Sequence, residues 1–183
     1  MSLQNAFLGS LVADAVSMPV HWYYNREALD RDYGDFSEFC QPKNPHPDSI
    51  LWRSKFIPKS SKADILGSQA KYWGQRGIHY HQFLNTGENT LNLQLAAELY
   101  RHSILNGNFD AELWLKRYVQ VMLTNGWHQD TYVEEYHRTF FNNYASGKPL
   151  LSCGGPDYHI GGLSLIPALI ASMEALEQND PSL

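Results

Sequence analysis

The helical period runs through most of this chain, and it constrains the fold more than any other feature. Leu3, Phe7, Leu8, Leu11, Val12, Ala15 and Val16 recur at three- and four-residue steps, marking one face of a helix that Pro19 stops. Its other positions, Ala6, Gly9, Ser10 and Ala13, are small, which predicts a central helix packed closely by several neighbours. A short helix is expected from Asn25 to about Tyr33. A longer one is expected from Ser61, where Ser61 and Asp64 have capping-box spacing, to about Gly74 or Gly77. The next spans about 88–105 and stops at Asn106-Gly107. Another starts at Asp110, with Phe109 as a hydrophobic staple, and stops at Asn125-Gly126. A further one opens near Asp130 and Thr131, with Glu134 three residues after Thr131. It buries Val133, Tyr136, Phe140 and Tyr144 and ends at Gly147-Lys148-Pro149. The last passes through Leu163, Ile166, Leu169, Ile170 and Met173. No stretch alternates with period two and no repeat is visible, so the sequence predicts an all-α, compact multi-helix bundle.

The period fails over residues 20–60, where Pro42, Pro45, Pro47 and Pro58 punctuate mixed aromatic and charged residues. That predicts a long irregular loop over 34–60, anchored by Trp52, Phe56 and Ile57. Loops of this length are uncommon in compact domains unless functional or disordered. A chain of 183 residues with 43% hydrophobic and 18% charged content reads as one globular domain, 1–183. The net charge of −5 argues against nucleic acid or an anionic membrane as partner. Gln4, Asn5, Ser10 and Asp14 make the first helix neither a signal peptide nor a membrane span. Cys40 and Cys153 stand in no metal spacing; they read as reduced thiols of a cytoplasmic protein, with one structural disulfide as the alternative. Aromatic content of 13% points to a large-residue core or an aromatic-lined cleft.

Three constellations can carry chemistry. Gly87-Glu88-Asn89-Thr90 sits at a helix start, where polar side chains and free N–H groups can converge on a metal or a polar ligand. Oxygens of Glu88, Asn89 and Thr90 suit a hard cation such as Mg²⁺. The competing reading is a simple cap, with Thr86 or Asn89 at the N-cap and Glu88 complementing the helix dipole. Asp14 is an acid near the C-terminal end of an apolar helix, where the dipole disfavours it, so it needs a partner or a function. The segment 153–162 places Gly154, Gly155, Gly161 and Gly162 before a helix, together with Asp157 and His159. It can approach a ligand closely, or serve as a plain glycine-rich connection. His79-Tyr80-His81 and Trp127-His128 read as surface or capping residues, the alternative being a metal held by the two spaced histidines if the backbone is extended and a third ligand arrives from elsewhere.

In order along the chain, these segments resemble the ADP-ribosylglycohydrolase family, which includes the J1 crystallins. Gly9-Ser10-Leu11-Val12-Ala13-Asp14-Ala15-Val16-Ser17-Met18-Pro19-Val20 is similar to the family's opening helix. Gly87-Glu88-Asn89-Thr90-Leu91 lies where the family has Thr-Asp-Asp-Thr-Met, and 153–162 followed by Leu163-Ser164-Leu165-Ile166-Pro167 is similar to its glycine-rich ligand loop. The resemblance implies an all-α hydrolase of ADP-ribosyl or related nucleotide-sugar linkages, with Mg²⁺ held near Glu88, Asn89 and Thr90. Glu88 and Asp14 would be catalytic. His21 would replace an acid at the ligand, and Gly154, Gly155, Asp157, His159, Gly161 and Gly162 would complete the ligand site. Two of the expected metal ligands are altered, since Asn89 stands for an aspartate and Gly87 for a threonine. The family's late Asp-x-Asp pair has no counterpart, because Glu174, Glu177 and Asp180 lack its spacing. The chain therefore resembles an N-terminal portion or a shortened member. Three expectations follow: a hydrolase acting on a small-molecule or ADP-ribosyl substrate, a non-catalytic crystallin-like or ligand-binding helical protein, or a homo-oligomer in which another chain completes the site.

Overall fold

Residues 2–178 are described by a computed structural model, and their regular structure is entirely helical. Asp180, considered above as a late acid, lies outside the described residues. The first helix, α1 (Leu3–Ser17), is capped by the Ser2 hydroxyl, which accepts from Asn5 N at 3.2 Å. The short α2 (Arg26–Asp32) starts as the sequence predicts, with the Asn25 side chain accepting from Ala28 N. The long α3 (Leu91–Asn106) ends where Gly107 adopts φ +70°, the left-handed stop that glycine supplies without strain. Asp110 caps α4 (Ala111–Met122) through Leu113 N at 2.8 Å. α5 (Glu135–Ala145) and α6 (Ile166–Gln178) complete the set.

The expected helix from Ser61 does not form: two 3₁₀ segments, Ser61–Ala63 and Gly67–Tyr72, stand there instead. The helix expected from Asp130 begins at Glu135, because the Asp130 and Thr131 groups are engaged elsewhere. Trp73 Nε1 donates to Thr131 O at 2.7 Å and Thr131 N donates to Tyr80 O at 3.0 Å, holding Thr131 in a bend outside the helix.

The core joins Phe7 of α1 to Leu91, Leu95 and Leu99 of α3, Trp114, Tyr118 and Val121 of α4, and Phe140 and Phe141 of α5. Within it, buried Glu98 is held by Arg117 Nε at 2.7 Å and by Arg101, so its charge is paired twice. α6 packs on α1 and α3 through Ala168, Ala171, Ser172 and Ala175, and turns Ile166, Ile170 and Met173 outward. On α1 likewise, Phe7 and Ala15 are buried while Leu3, Leu8 and Val12 are exposed, so α1 borders the core rather than forming its centre. On α6 the small residues take the contact face and the larger apolar ones are left at the surface, whereas on α1 Ala6, Gly9 and Ala13 are exposed along with Leu8 and Val12. In the 34–60 loop, Leu51 and His46 are the buried anchors and Phe56 packs partly, but Ile57 is exposed. Cys40 and Cys153 are both free thiols.

Candidate functional site

The start of α3 has no cap of its own. Thr90 is the N-cap residue, and its side chain makes no capping bond. Two carboxylates from other parts of the chain supply the missing acceptors. Asp14 Oδ2 accepts from Thr90 N at 2.7 Å and from Asn89 Nδ2 at 3.0 Å, and its Oδ1 accepts from Thr90 Oγ1 at 2.9 Å. Asp130 Oδ2 accepts from Leu91 N, the first residue of the helix. Two acids at a helix N-terminus satisfy its free N–H groups and favour its dipole. Burial nevertheless pushes the Asp14 carboxyl up, against the lowering by its Asn89 and Thr90 hydrogen bonds.

From Asp130 a chain of polar groups runs back to α1. The other Asp130 oxygen pairs with His81 Nδ1. His81 Nε2 lies 3.1 Å from His21 Nδ1, and His21 Nε2 lies 3.1 Å from Ser17 Oγ. One proton on each ring satisfies the contacts with Asp130 and between the two rings, while the single Ser17 hydroxyl proton is shared between His21 Nε2 and Asp14 O, which lies 3.2 Å away. His81 donates from Nδ1 to the carboxylate, its Nε2 accepts from His21 Nδ1–H, and His21 Nε2 is left as a bare lone pair facing a hydroxyl. Burial drives His21 down to about 4, with the neighbouring His81 acting in the same direction. Two further buried histidines brace this strip. His79 Nε2 donates to Pro19 O at 2.9 Å and His46 Nε2 donates to His21 O at 3.2 Å. Their Nδ1 atoms accept from His81 N and Asp48 N. Burial lowers both, His79 to about 3.

These groups open onto a cleft of about 580 Å³, a volume within the range of small-ligand sites. Asp14, His21, His81, Thr90 and Asp130 line its floor, Trp22 and Tyr132 one wall, and Ile160, Gly161, Leu163 and Ser164 its rim. Glu134 also lines it. Its Oε1 accepts from Asn92 Nδ2 at 3.2 Å, while its Oε2 is buried without a hydrogen-bond partner. Burial pushes the Glu134 carboxyl up, and the nearby Asp157 adds to that.

The structure thus brings Asp14, Thr90, His21 and Gly161 to one cleft and leaves the other sequence-predicted residues outside it. Glu88 is the main correction. It is exposed, its Oε2 accepts from Asn85 N at 2.7 Å, and it lines a separate pocket with Asn89. A tight turn from Asn85 to Glu88 satisfies that carboxylate locally and turns it away from Asp14. Asn89 reaches Asp14 and Leu11 O with its amide donors only. Gly154, Gly155 and Gly162 are exposed, and Asp157 and His159 pair with each other at 2.7 Å on the rim. Glu88, Asn89 and Thr90 therefore do not converge as oxygen donors, and these residues do not fit a Mg²⁺ ion. Among the described residues, no group of three or more His, Cys, Asp or Glu side chains is arranged to hold a metal.

Sequence reasoning missed Asp130, His81, Trp22, Tyr132 and Glu134. His81 and Asp130 were visible as residues, but they are 49 positions apart and meet only through the fold. Glu134 stands at the N-cap of α5, and its spacing from Thr131 gives no hint that its carboxylate turns to Asn92. Comparison of the chain with family models, with curated proteins and with solved structures gives no match.

Proposed function

We propose that the chain is a hydrolase of ADP-ribosyl or related nucleotide-sugar linkages, working by acid–base chemistry at the cleft between α1 and the start of α3. The observation that supports this is the Asp130–His81–His21 chain ending on the same cleft as the half-partnered Glu134. Neutral His21 takes a proton from the attacking water, directly or through the Ser17 hydroxyl. His81 and Asp130 orient the ring and stabilise the charge it gains. Glu134, whose carboxyl burial holds toward its protonated form, gives a proton to the leaving group. Environments that push a base down and an acid up divide the two roles between them. The test is release of free ADP-ribose from ADP-ribosyl-arginine, ADP-ribosyl-serine peptide and NAD⁺, followed by chromatography. Release is expected to fall about 100-fold or more in His21→Ala, the range for a lost general base. No release above the blank from any of the three overturns the reading.

One observation favours a second reading. Asp14, Asn89 and Thr90 spend their polar atoms on locking α3 to α1, as a non-catalytic, crystallin-like helical protein requires. Binding of ADP-ribose with no turnover of any substrate would decide for that alternative.

A further inference from the structure

Trp22 holds a backbone conformation that its side chain disfavours. His21 has φ −57° and ψ 139°, Trp22 has φ +67°, and Tyr23 N donates to Val20 O at 3.4 Å. This is a type II turn with tryptophan at the position where glycine is usual. Trp22 is the one non-glycine residue with positive φ among the described residues. For a bulky residue this is a true outlier, and such strain persists only where the surroundings over-determine it. Here His79 holds Pro19 O, His46 holds His21 O and His21 N holds Met18 O. What the strained turn achieves is to put His21 and an indole, from consecutive residues, into the same cleft. The indole stands against Tyr132, ring centroids 5.6 Å apart at 66°, and against Tyr80 at 5.1 Å, forming an aromatic wall.

Charge narrows what that wall can receive. The cleft is lined by Asp14, Asp130 and Glu134, and among the described residues no Lys or Arg lines it. Such a lining favours a cation over a phosphate at this wall, so the pyrophosphate of a dinucleotide would lie away from it. A cationic leaving group needs no proton, so here Glu134 would serve as a carboxylate: its buried Oε2 has no hydrogen-bond partner, and a positive group beside it would offset the burial that otherwise disfavours the charge. An aromatic face beside carboxylates is the chemistry that binds a flat organic cation.

Resting on the hydrolase reading above, we propose that the substrates are ribosides whose leaving group is a planar aromatic cation of the pyridinium type, stacked on Trp22. Because the wall and the base come from adjacent residues, the stacked ring is the group at the scissile bond and not the far end of a dinucleotide. The step balances without a co-reactant other than water. The water oxygen bonds to the anomeric carbon as the bond from that carbon to the ring nitrogen breaks. The bonding pair stays on the nitrogen and neutralises the ring, and the water proton goes to His21 and then to solvent.

Calorimetry with NAD⁺, NADH and ADP-ribose tests this, since the three differ in a flat charged ring, a neutral ring and no ring. NAD⁺ is expected to bind about ten times tighter than the other two, the factor a desolvated cation–π contact supplies. In Trp22→Gly, where the turn receives the residue it favours, that ratio falls to near one while ADP-ribose affinity is kept. Trp22→Phe keeps part of the ratio and guards against a misfolded glycine variant, which would lose affinity for all three probes together. Equal affinities in the unmodified protein, or an unchanged ratio in Trp22→Gly, overturn the proposal. If NAD⁺ shows no preference while ADP-ribose is still released from other substrates, this inference fails and the hydrolase reading stands.

Discussion

The floor and the rim of the cleft are held in opposite ways. On the floor, nearly every polar atom has a named partner: Asp14 accepts three hydrogen bonds, Asp130 bridges His81 and Leu91, and His46 and His79 each donate and accept one. The partners come from sequence positions far apart, so the floor exists only when the whole chain is folded. The rim, 154–165, is attached at its start by Asn143 Nδ2 donating to Cys153 O at 2.9 Å. Beyond that its side-chain hydrogen bond is local, Asp157 with His159, and Tyr158 is 97% and Ile160 81% exposed, so the rim is held to α3 and α5 by packing at positions such as Gly155, Gly161 and Leu165 and not by a polar network. A network satisfied by distant residues rigidifies, whereas a segment with few buried contacts opens at low cost. The difference teaches that one cleft is built from two kinds of structure, a part resting on α3 and fixed by a polar network, and a part leading into α6 and held by packing.

Breaking the floor should have the largest effect. Asp130→Ala removes the acceptor of Leu91 N and leaves His81 buried without its carboxylate. A loss of about 3–5 kcal/mol is expected, as for one partner removed from a buried pair, read as a shift of the denaturant midpoint. Asp157→Ala, made at the rim pair, should leave that midpoint where it is. A smaller shift in Asp130→Ala than in Asp157→Ala would reverse the comparison.

Acid should separate the two parts next. His21, His46 and His79 are held below the ordinary histidine value of 6.5, His21 to about 4 and His79 to about 3. The unfolded chain therefore binds protons that the folded floor refuses. The stability these rings provide is complete above pH 6.5 and is lost as pH falls from there toward 4 and below. His159 is held above its ordinary value by Asp157, so the rim pair is complete below 6.5 and weakens as pH rises through that raised value. Thermal melting between pH 7.5 and 4.5 is expected to fall steadily, with chemical shifts of the His79 and His46 rings recording the loss. A flat profile would show that the floor histidines are not buried neutral.

The rim itself can be tested with one methyl group. A Cβ on Gly161 would fall 1.7 Å from Glu134 Oε2, so in Gly161→Ala the Glu134 carboxylate or the rim must move away. Because the clashing atom is the end of a flexible side chain, the cost should be near ~1 kcal/mol, the low end for overpacking. Catalysis or ligand binding through Glu134 should suffer far more than stability. Melting temperature and ADP-ribose release measured on the same sample check whether the two effects separate.

How much of this was legible in the sequence follows the same division. Elements fixed by local rules were readable: α2 with its Asn25 cap, α4 with Asp110, and the stop of α3 at Gly107 all depend on neighbours within a few residues. The all-α class was readable because the helical period is local as well. The segment 61–77 was misread because Ser61 and Asp64 have capping spacing, yet Asp64 Oδ1 accepts from Gly67 N in a turn. Asp130 was misread because a cap for α5 and a cap for α3 look alike until the fold shows which N–H is near. Asp14 could be singled out from its place in an apolar helix, but its partners could not, since Asn89 and Thr90 are some 75 residues away. Outward Ile170 departs from the period because Ala168, Ala171 and Ala175 take the contact face of α6, while Leu8 and Val12 share the exposed side of α1 with Gly9 and Ala13.

The smallest expected effect belongs to Glu88, the residue that the sequence places foremost. If its carboxylate only closes the Asn85–Glu88 turn, Glu88→Ala removes one exposed acceptor and should cost about 0.5 kcal/mol, the low end for a lost capping interaction. Glu88→Gln keeps an oxygen toward Asn85 N and should cost less. Neither should change ADP-ribose affinity or release, since Glu88 lines a pocket separate from the cleft. Adding Mg²⁺ or a chelator should move the melting temperature equally in the parent and in Glu88→Ala, because residues 88–90 present no converging oxygens. A Mg²⁺-dependent stabilisation that disappears in Glu88→Ala would show that this turn reorganises around an ion. The division of labour would then need redrawing, since the start of α3 would no longer be only the fixed part of the site.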